Sequence, residues 1–234
     1  MSSHDVVDAV RKITRQRRVG HAGTLDPYAK GVLVVGVGRA ATKKLRFVAG
    51  TEKEYITRVK LGWRSTTDDR EGVLTQTVEC GAGSLASGCA SAGSGPPSEE
   101  QVRRALAGFR GVIDQRPPVF SAIKVRGRPA YKRARAESRK QSREDGVDNP
   151  QFVLPPRRVE AKEIELLGYA WPHVDVRLVT GPGFYVRSLA RDLGEALGTG
   201  GYMEELERVR IGTYTKEQAV RPADLRSFLS QADR

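Results

Sequence analysis

The spacing of hydrophobic residues changes along the chain, and each spacing predicts a different element. Between Val6 and Ile13 the apolar side chains recur at helical spacing, so an amphipathic helix is predicted to open the chain. From Tyr55 to Leu61 apolar and polar side chains alternate, which predicts a half-buried strand. A continuous apolar run from Val32 to Val37 predicts a buried strand.

The rest of the chain mixes predicted helices and strands. A capping box formed by Ser98 and Gln101 predicts the start of one helix. Other helices are predicted at 40–48, from Pro129 onward, at 185–197 and at 225–229. Other strands are predicted at 73–78, 120–125, 159–167 and 174–179. Because these elements do not alternate as regular βαβ units, we predict an α+β fold with a mixed, largely antiparallel sheet flanked by helices.

We expect a single domain over residues 1–234 that carries two flexible insertions. Residues 80–97 are rich in Gly, Ser and Ala and hold almost no charge, which is typical of a flexible segment. Residues 138–151 are predicted to be a second loose insertion.

Positive charge is concentrated in two blocks of the sequence. The net charge is +12, from 40 Lys and Arg against 28 Asp and Glu. Residues 1–60 hold 13 basic and 5 acidic side chains, and residues 99–143 hold 13 and 4. Such an excess favours a polyanionic partner, nucleic acid first. A solvated helix face or a disordered tail is the alternative interpretation of the second block.

The composition also predicts the cellular setting. The longest apolar stretch, Gly31 to Val37, is too short to span a membrane, and the first residues lack the apolar core of a signal peptide. The two Cys lie in one unusual segment and do not indicate a disulfide framework. We therefore expect an intracellular protein that does not bind membranes, with nucleus, mitochondrion and cytosol all left open.

Cofactor and metal sites are not indicated by the sequence. The three His and two Cys lack the spacing of a zinc site or a zinc deaminase. Gly36, Gly38 and Ala41 imitate a dinucleotide-binding fingerprint, but no alternating βαβ unit follows them. We expect neither a metal nor an organic cofactor.

The loop from Gly20 to Pro27 carries the most informative residues. Taken alone, Asp26-Pro27 in a Gly-rich loop is typical of an Asx turn. The wider run GHAGTLDPYAKGVL, followed by GRAATK, resembles the signature of the TruB-type pseudouridine synthases. Four further blocks resemble that family in the same order: KEY at 53–55 with LG and DxxG after it, PPVFSAIK at 117–124, GFYVRSL at 183–189, and GGYMEEL at 200–206 with Arg210 and Gly212.

This resemblance implies the pseudouridine synthase fold and a reaction without cofactors. The family isomerises uridine in RNA by breaking the C1′–N1 bond, turning the uracil and joining C1′ to C5. By resemblance, Asp26 is the nucleophilic carboxylate, Arg187 is its cationic partner, and Tyr55 is an active-site aromatic residue that could assist proton transfer from C5. Without the motif, Arg187 would be read as a surface helix charge and Tyr55 as a buried strand aromatic.

The resemblance also implies how the RNA is bound. The target uridine must be extruded from a folded loop, and His21 matches the family residue that fills the space left by the base. Tyr185 and Leu206 match positions that line the uracil pocket, although Leu206 could equally be helix core. Lys43 matches a basic position near RNA. The implied partner is the T-stem-loop of tRNA, and we expect a monomer.

Two features depart from the family pattern. The family's first strand, with a Lys-Pro-x-Gly element, would precede Met1, so we expect a truncated start. Because the sequence stops soon after Leu229, we also expect the chain to lack the PUA domain that bacterial members often add. The Phe184-Tyr185 pair is typical of the eukaryotic branch, to which we expect the chain to be closest.

Two alternative functions stay open at this point. One is a catalytic subunit guided by a separate RNA, as in the dyskerin-like relatives. The other is a non-catalytic RNA-binding protein that has kept the fold.

Overall fold

The computed structural model describes residues 1–77, 95–125, 127–144 and 152–232. Most of the segment predicted as an insertion at 80–97, namely residues 80–94, lies outside these ranges, as do residues 145–151 of the segment predicted at 138–151.

Helices and strands follow one another in mixed order. The helices are α1 (Ser3–Thr14), α2 (Gly38–Ala49), α3 (Glu99–Ala107), α4 (Ala130–Glu144), α5 (Val186–Ala196) and α6 (Leu225–Ala232), with a 3₁₀ turn at Lys216–Gln218. The first strands are β1 (Val19–Ala22), β2 (Lys30–Gly31), β3 (Val34–Val37), β4 (Lys53–Leu61), β5 (Trp63–Ser65) and β6 (Leu74–Gln76). The later strands are β7 (Gly111–Gln115), β8 (Lys124–Val125), β9 (Arg128–Pro129), β10 (Arg157–Ala170), β11 (His173–Thr180), β12 (Gly201–Ile211) and β13 (Tyr214–Thr215).

The main sheet has seven strands. Six of them follow the order β13-β12-β4-β11-β10-β7, and β2 pairs with β12. The pair β10–β7 and the pair β12–β13 are antiparallel, whereas β12 and β2 run parallel. Helices accompany this sheet along the chain, so the predicted α+β fold with a largely antiparallel sheet is confirmed.

The chain forms two compact units. Unit 1 comprises Met1–Ile56, Leu178–Pro182 and Leu206–Arg234, and unit 2 comprises Thr57–Arg177 and Gly183–Glu205. In unit 1, α1 packs Val7 and Val10 against Val19 at the start of β1. In unit 2, β7 pairs with β10 over Gln115 to Gly111, and the hairpin β5–β6 pairs Trp63 with Gln76.

Local sequence signals place several of these elements correctly. Ser2 caps α1 and forms a capping box with Asp5, and Ser98 forms the same arrangement with Gln101 at α3. Each cap satisfies backbone N–H groups that a helix leaves unpaired at its first turn. β4 buries every second residue from Lys53 onward, as the alternation predicts.

Other predicted elements differ from the structure. Strand structure within Phe120–Val125 is limited to β8, because the preceding carbonyl groups of Phe120 and Ser121 accept hydrogen bonds from Arg187 and from the backbone of Tyr131 instead of a strand partner. The apolar run 32–37 forms only the short, partly exposed β3, which pairs with β1 in a two-stranded sheet.

One further difference concerns the segment predicted at 138–151. α4 continues to Glu144, so the first half of the segment 138–151 is helical and not a loose insertion. α1 ends at Thr14, and Arg15 follows in a left-handed conformation that stops the helix.

Among the described residues, no helix is long and apolar enough to cross a membrane.

Candidate active site

The loop that carries Asp26 lies between β1 and β2 in unit 1, and α1 holds it from one side. The backbone N–H of Leu25 donates a hydrogen bond to the Ser3 hydroxyl at 2.9 Å, and that hydroxyl lies 3.3 Å from the Leu25 carbonyl, to which it donates. The backbone N–H of Ala29 donates to the Asp26 carbonyl at 3.0 Å. Contacts on both sides of the half-buried Asp26 therefore fix the backbone that presents its carboxylate.

Arg208 on β12 lies beneath this loop and is the largest of the fully buried side chains described, at 2% exposure. Its Nη2 donates to the carbonyl of Gly23 at 2.8 Å, and its Nε donates to the carbonyl of Val32 at 2.9 Å. Its own carbonyl accepts from the backbone N–H of Val32 at 2.8 Å, and it pairs in parallel with Gly31. Gly31 has φ +102, and a Cβ there would overlap the Arg208 carbonyl, so only glycine allows this approach.

Tyr55 on β4 directs its phenol to the same guanidinium. The residue is 7% exposed, and its phenol interacts electrostatically with the guanidinium of Arg208. Burial raises the pKa of the Tyr55 phenol; the charge of Arg208 opposes this rise, and the carboxylate of Asp26 adds to it. Asp26, Tyr55 and Arg208 therefore form one electrostatically connected group in unit 1.

A second buried cation, Lys53, lies near this group. Its Nζ donates to the carbonyl of Ala49 at 2.9 Å and to that of Thr51 at 2.6 Å. Burial, followed by the positive charge of Arg208, lowers the pKa of Lys53. The carbonyl groups at the end of α2 suit a cation because a helix carries partial negative charge at its C-terminus.

Three further predicted residues also lie in unit 1. His21 is half-buried on β1, edge-on to His4, with ring centroids 6.2 Å apart. Its Nδ1 is buried and has no hydrogen-bond partner among the residues that the structure describes, and burial lowers its pKa. Lys43 is exposed on α2. Leu206, 8% exposed, lies on strand β12 and not on a helix, two residues before Arg208.

Arg187 and Tyr185 belong to unit 2. Arg187, in the first turn of α5, is 7% exposed. Its Nη1 contacts Asp69 Oδ2 and the Thr67 carbonyl, each at 3.3 Å, and its Nη2 donates to the Phe120 carbonyl at 3.1 Å. This buried ion pair fixes the guanidinium against the β5–β6 turn.

The backbone of Tyr185 is held by one buried amide. Its N–H donates to Gln115 Oε1 at 2.8 Å, and Gln115 Nε2 donates to its carbonyl at 3.0 Å. Tyr185 is the residue that precedes α5, and the paired bonds therefore set the position at which that helix starts.

The sequence patterns missed two of these structural partners. Arg208 was not identified because β12 was not predicted as a strand; its spacing of two from Leu206 is the signal that could have placed both side chains on one strand face. Asp69 was quoted only as part of the DxxG block, although it provides the carboxylate for Arg187.

Two family models match the chain over nearly its whole length. Residues 11–186 match the TruB family pseudouridylate synthase N-terminal domain, and residues 187–233 match the tRNA pseudouridylate synthase B C-terminal domain.

Curated bacterial proteins are similar to the chain over most of its length. The tRNA pseudouridine synthase B of Thermobifida fusca (strain YX) is 46% identical over 219 residues, covering 93% of this chain and 68% of the relative. The protein of the same name from Leifsonia xyli subsp. xyli is 39% identical over 222 residues, covering 93% of this chain and 66% of the relative. The chain thus spans about two thirds of the length of these relatives. They are bacterial, so they give no support to the expected closeness to the eukaryotic branch.

Solved structures share the fold. A chain of a Cbf5-Nop10-Gar1 complex superposes with a TM-score of 0.69 at 26% identity, covering 100% of this chain and 53% of that chain. A chain of an H/ACA RNP bound to a substrate RNA containing 2′-deoxyuridine gives a TM-score of 0.64 at 23% identity, covering 100% and 52%. Together with the family models and the bacterial relatives, these likenesses show that the chain belongs to the TruB family of pseudouridylate synthases.

Proposed function

We propose that this chain converts uridine to pseudouridine in the T-loop of tRNA, with Asp26 as the nucleophile. The observation that carries the proposal is the group formed by Asp26, Tyr55 and Arg208, in which a carboxylate and a phenol interact with one buried guanidinium. A carboxylate held in place beside a cation can stabilise or capture a fragment of the substrate while the base is detached. The names of the bacterial relatives favour tRNA as the RNA.

The reaction assigned to this group is an isomerisation. The C1′–N1 bond of uridine breaks, Asp26 captures or stabilises the detached fragment, the uracil turns, and a C1′–C5 bond forms. C5 then loses its proton, and N1 ends with a proton in its place, so atoms balance without an oxidant or cofactor. Tyr55 is assigned to the proton transfer from C5, by its hydroxyl or by positioning the base.

The remaining predicted residues are assigned to substrate binding. His21 fills the space left by the extruded base, Tyr185 and Leu206 line the uracil pocket, and Lys43 contacts RNA. Exposed basic side chains on α2 support the last assignment, namely Arg39, Lys43, Lys44 and Arg46. The role of Arg187 toward Asp26 is a prediction of the family resemblance. We further propose that the chain acts as an intracellular monomer.

Release of tritium from 5-tritiated uridine in a T-stem-loop RNA tests the proposal directly. The wild-type chain is expected to release tritium, and Asp26→Asn to lose on the order of 10³-fold or more of the rate because the nucleophile is gone. Asp8→Asn is the matched control, since it makes the same substitution at an exposed carboxylate on α1 and is expected to leave the rate unchanged. Equal release by wild type and Asp26→Asn would contradict the assignment.

A guide-RNA-dependent activity is the second candidate, favoured by the structural likeness to a chain of a Cbf5-Nop10-Gar1 complex. Tritium release from the bare stem-loop, without guide RNA or added protein, would decide against it. RNA binding in a gel shift without any tritium release would instead indicate a non-catalytic RNA-binding protein.

A further inference from the structure

We propose that Arg208 is a positioning residue for this reaction: its guanidinium binds the loop that carries Asp26 and the phenol of Tyr55 at the same time, and so fixes the two reacting side chains relative to each other. This inference rests on the proposed function and names a residue that the family motifs did not assign.

The first step is the hydrogen bonding of the guanidinium. Its Nη2 and Nε reach carbonyl groups on both sides of Asp26, three residues before it at Gly23 and six after it at Val32. A planar fork with fixed donor directions can bind two separate carbonyl groups at once, which a lysine ammonium cannot do with the same geometry. Arg208 therefore links the two ends of the loop.

The second step is the close approach of the loop to the guanidinium. Gly23 has φ +74, and a Cβ at that position would lie 3.2 Å from Arg208 Nη1. A bulkier residue at Gly23 would strain the backbone and crowd the guanidinium. The loop is thus shaped around this side chain over several residues.

The third step is the link to Tyr55. Tyr55 and Arg208 are both buried in unit 1, and Tyr55, Asp26 and Arg208 interact electrostatically with one another. Because Arg208 is fixed by its bonds to the loop, the phenol interacts with a cation at a defined place. The loop and the phenol therefore both interact with the same guanidinium, that of Arg208 on β12.

The fourth step concerns why an arginine is present at all. Removing a charge from water is costly, and well-packed apolar side chains often replace buried charges without loss of stability. Here an apolar residue would leave the carbonyl groups of Gly23 and Val32 without the donors that Arg208 supplies. Only a cation also supplies positive charge beside Asp26 and Tyr55, which is what the reaction requires.

Arg208→Lys is the main test because it keeps the charge and removes the fork. We expect kcat for tritium release to fall by about 100-fold while KM for the T-stem-loop changes by less than about threefold, since positioning acts on the transition state more than on RNA binding. Arg58→Lys is the matched control. Arg58 lies on β4 beyond Tyr55 and pairs with Asp175 at the surface, so the kcat of this variant is expected to stay within about twofold of wild type.

The outcomes separate the two proposals. Wild-type kcat in Arg208→Lys, with an active wild-type enzyme, would overturn the role of Arg208 and leave the proposed function intact. No tritium release by the wild-type chain would overturn the proposed function first. A large rise in KM with unchanged kcat would also overturn the positioning role.

A second measurement does not depend on the folding of the Arg208 variant. In protein labelled with ¹⁵N-arginine, Tyr55→Phe is expected to shift the guanidinium resonances of one slowly exchanging, buried arginine, because only the hydroxyl is removed. Guanidinium resonances that are identical in wild type and Tyr55→Phe would show that the two side chains do not interact and would overturn the proposal.

Discussion

Arg208 in unit 1 and Arg187 in unit 2 are both buried, but different kinds of group stabilise their positive charges. Arg208 in unit 1 is 2% exposed, donates to the carbonyl groups of Gly23 and Val32, and interacts electrostatically with the Tyr55 phenol. Arg187 in unit 2 is 7% exposed and is bound by the carboxylate of Asp69 besides two carbonyl groups.

The difference concerns what neutralises each cation. Asp69 provides Arg187 with a full counter-charge inside its own unit, and Asp69 is fixed in turn by the Thr67 hydroxyl and the Glu71 backbone N–H. The carbonyl groups around Arg208 supply dipoles rather than a full charge, so more of its positive charge remains to act on Asp26 and Tyr55. We infer that Asp69 fixes the position of the Arg187 guanidinium in unit 2, and that Arg208 tunes the reacting groups in unit 1.

Removing the carboxylate of the Arg187–Asp69 pair should give the largest loss of stability. Asp69→Ala removes a carboxylate that binds the buried Arg187, and we expect a loss of about 3–5 kcal/mol in the free energy of unfolding. The same truncation at Asp175, whose ion pair with Arg58 is more than one third exposed, should cost less than about 1 kcal/mol. Urea unfolding of both variants measures these losses. Equal losses would show that the Arg187–Asp69 pair contributes no more to stability than a surface ion pair.

The pH dependence of stability should sharpen the same comparison. Burial raises the pKa of Asp68, which pairs with Arg191 at 2.8 Å, to about 6, against the attraction of Arg191 and Arg187. Above pH 6 the folded chain must hold Asp68 ionised at a cost, and between pH 6 and the ordinary carboxyl range it takes up a proton that the unfolded chain does not. Folding is therefore helped by this group as the pH falls through that window.

Asp68→Asn removes this titration without straining the left-handed backbone at φ 61, which Asn tolerates. Relative to the variant, wild type should gain about 2 kcal/mol in the free energy of unfolding between pH 7 and pH 4. Urea unfolding at several pH values gives the difference curve. A flat difference would show that the Arg191 pair keeps Asp68 ionised throughout.

The smallest expected effects come from Ser2 and Ser3, and comparing the two variants separates the positioning of the Asp26 loop from the stability of α1. Ser2→Ala removes the cap of α1, and Ser3→Ala removes the hydroxyl that binds both backbone groups of Leu25. Each should cost about 1 kcal/mol in stability. Only Ser3→Ala should also lower kcat for tritium release, because it loosens the loop of Asp26. If both variants kept wild-type kcat, the hold of α1 on the loop would have no role in the reaction.

Local patterns predicted the elements whose signals lie within a few residues. The helical spacing from Val6 to Ile13, the capping box at Ser98 and the alternation along β4 depend on neighbours a few residues apart, and the structure confirms all three. β12 was missed because charged residues fall on both of its faces, from Glu204 to Arg210, so no apolar alternation marks it. The start of 120–125 was predicted as a strand because its apolar residues could not reveal that Arg187 binds the Phe120 carbonyl.

The candidate site divides in the same way. The sequence by itself determined the family, through motifs around Asp26, Tyr55 and Arg187, and it determined the loop in which Asp26 lies. Only the tertiary structure decided that Arg208 is buried, because its acceptors at Gly23 and Val32 are 185 and 176 residues away along the chain. A charged side chain is stable in the interior only where distant parts of the fold bring acceptors to it, and no local pattern records those acceptors.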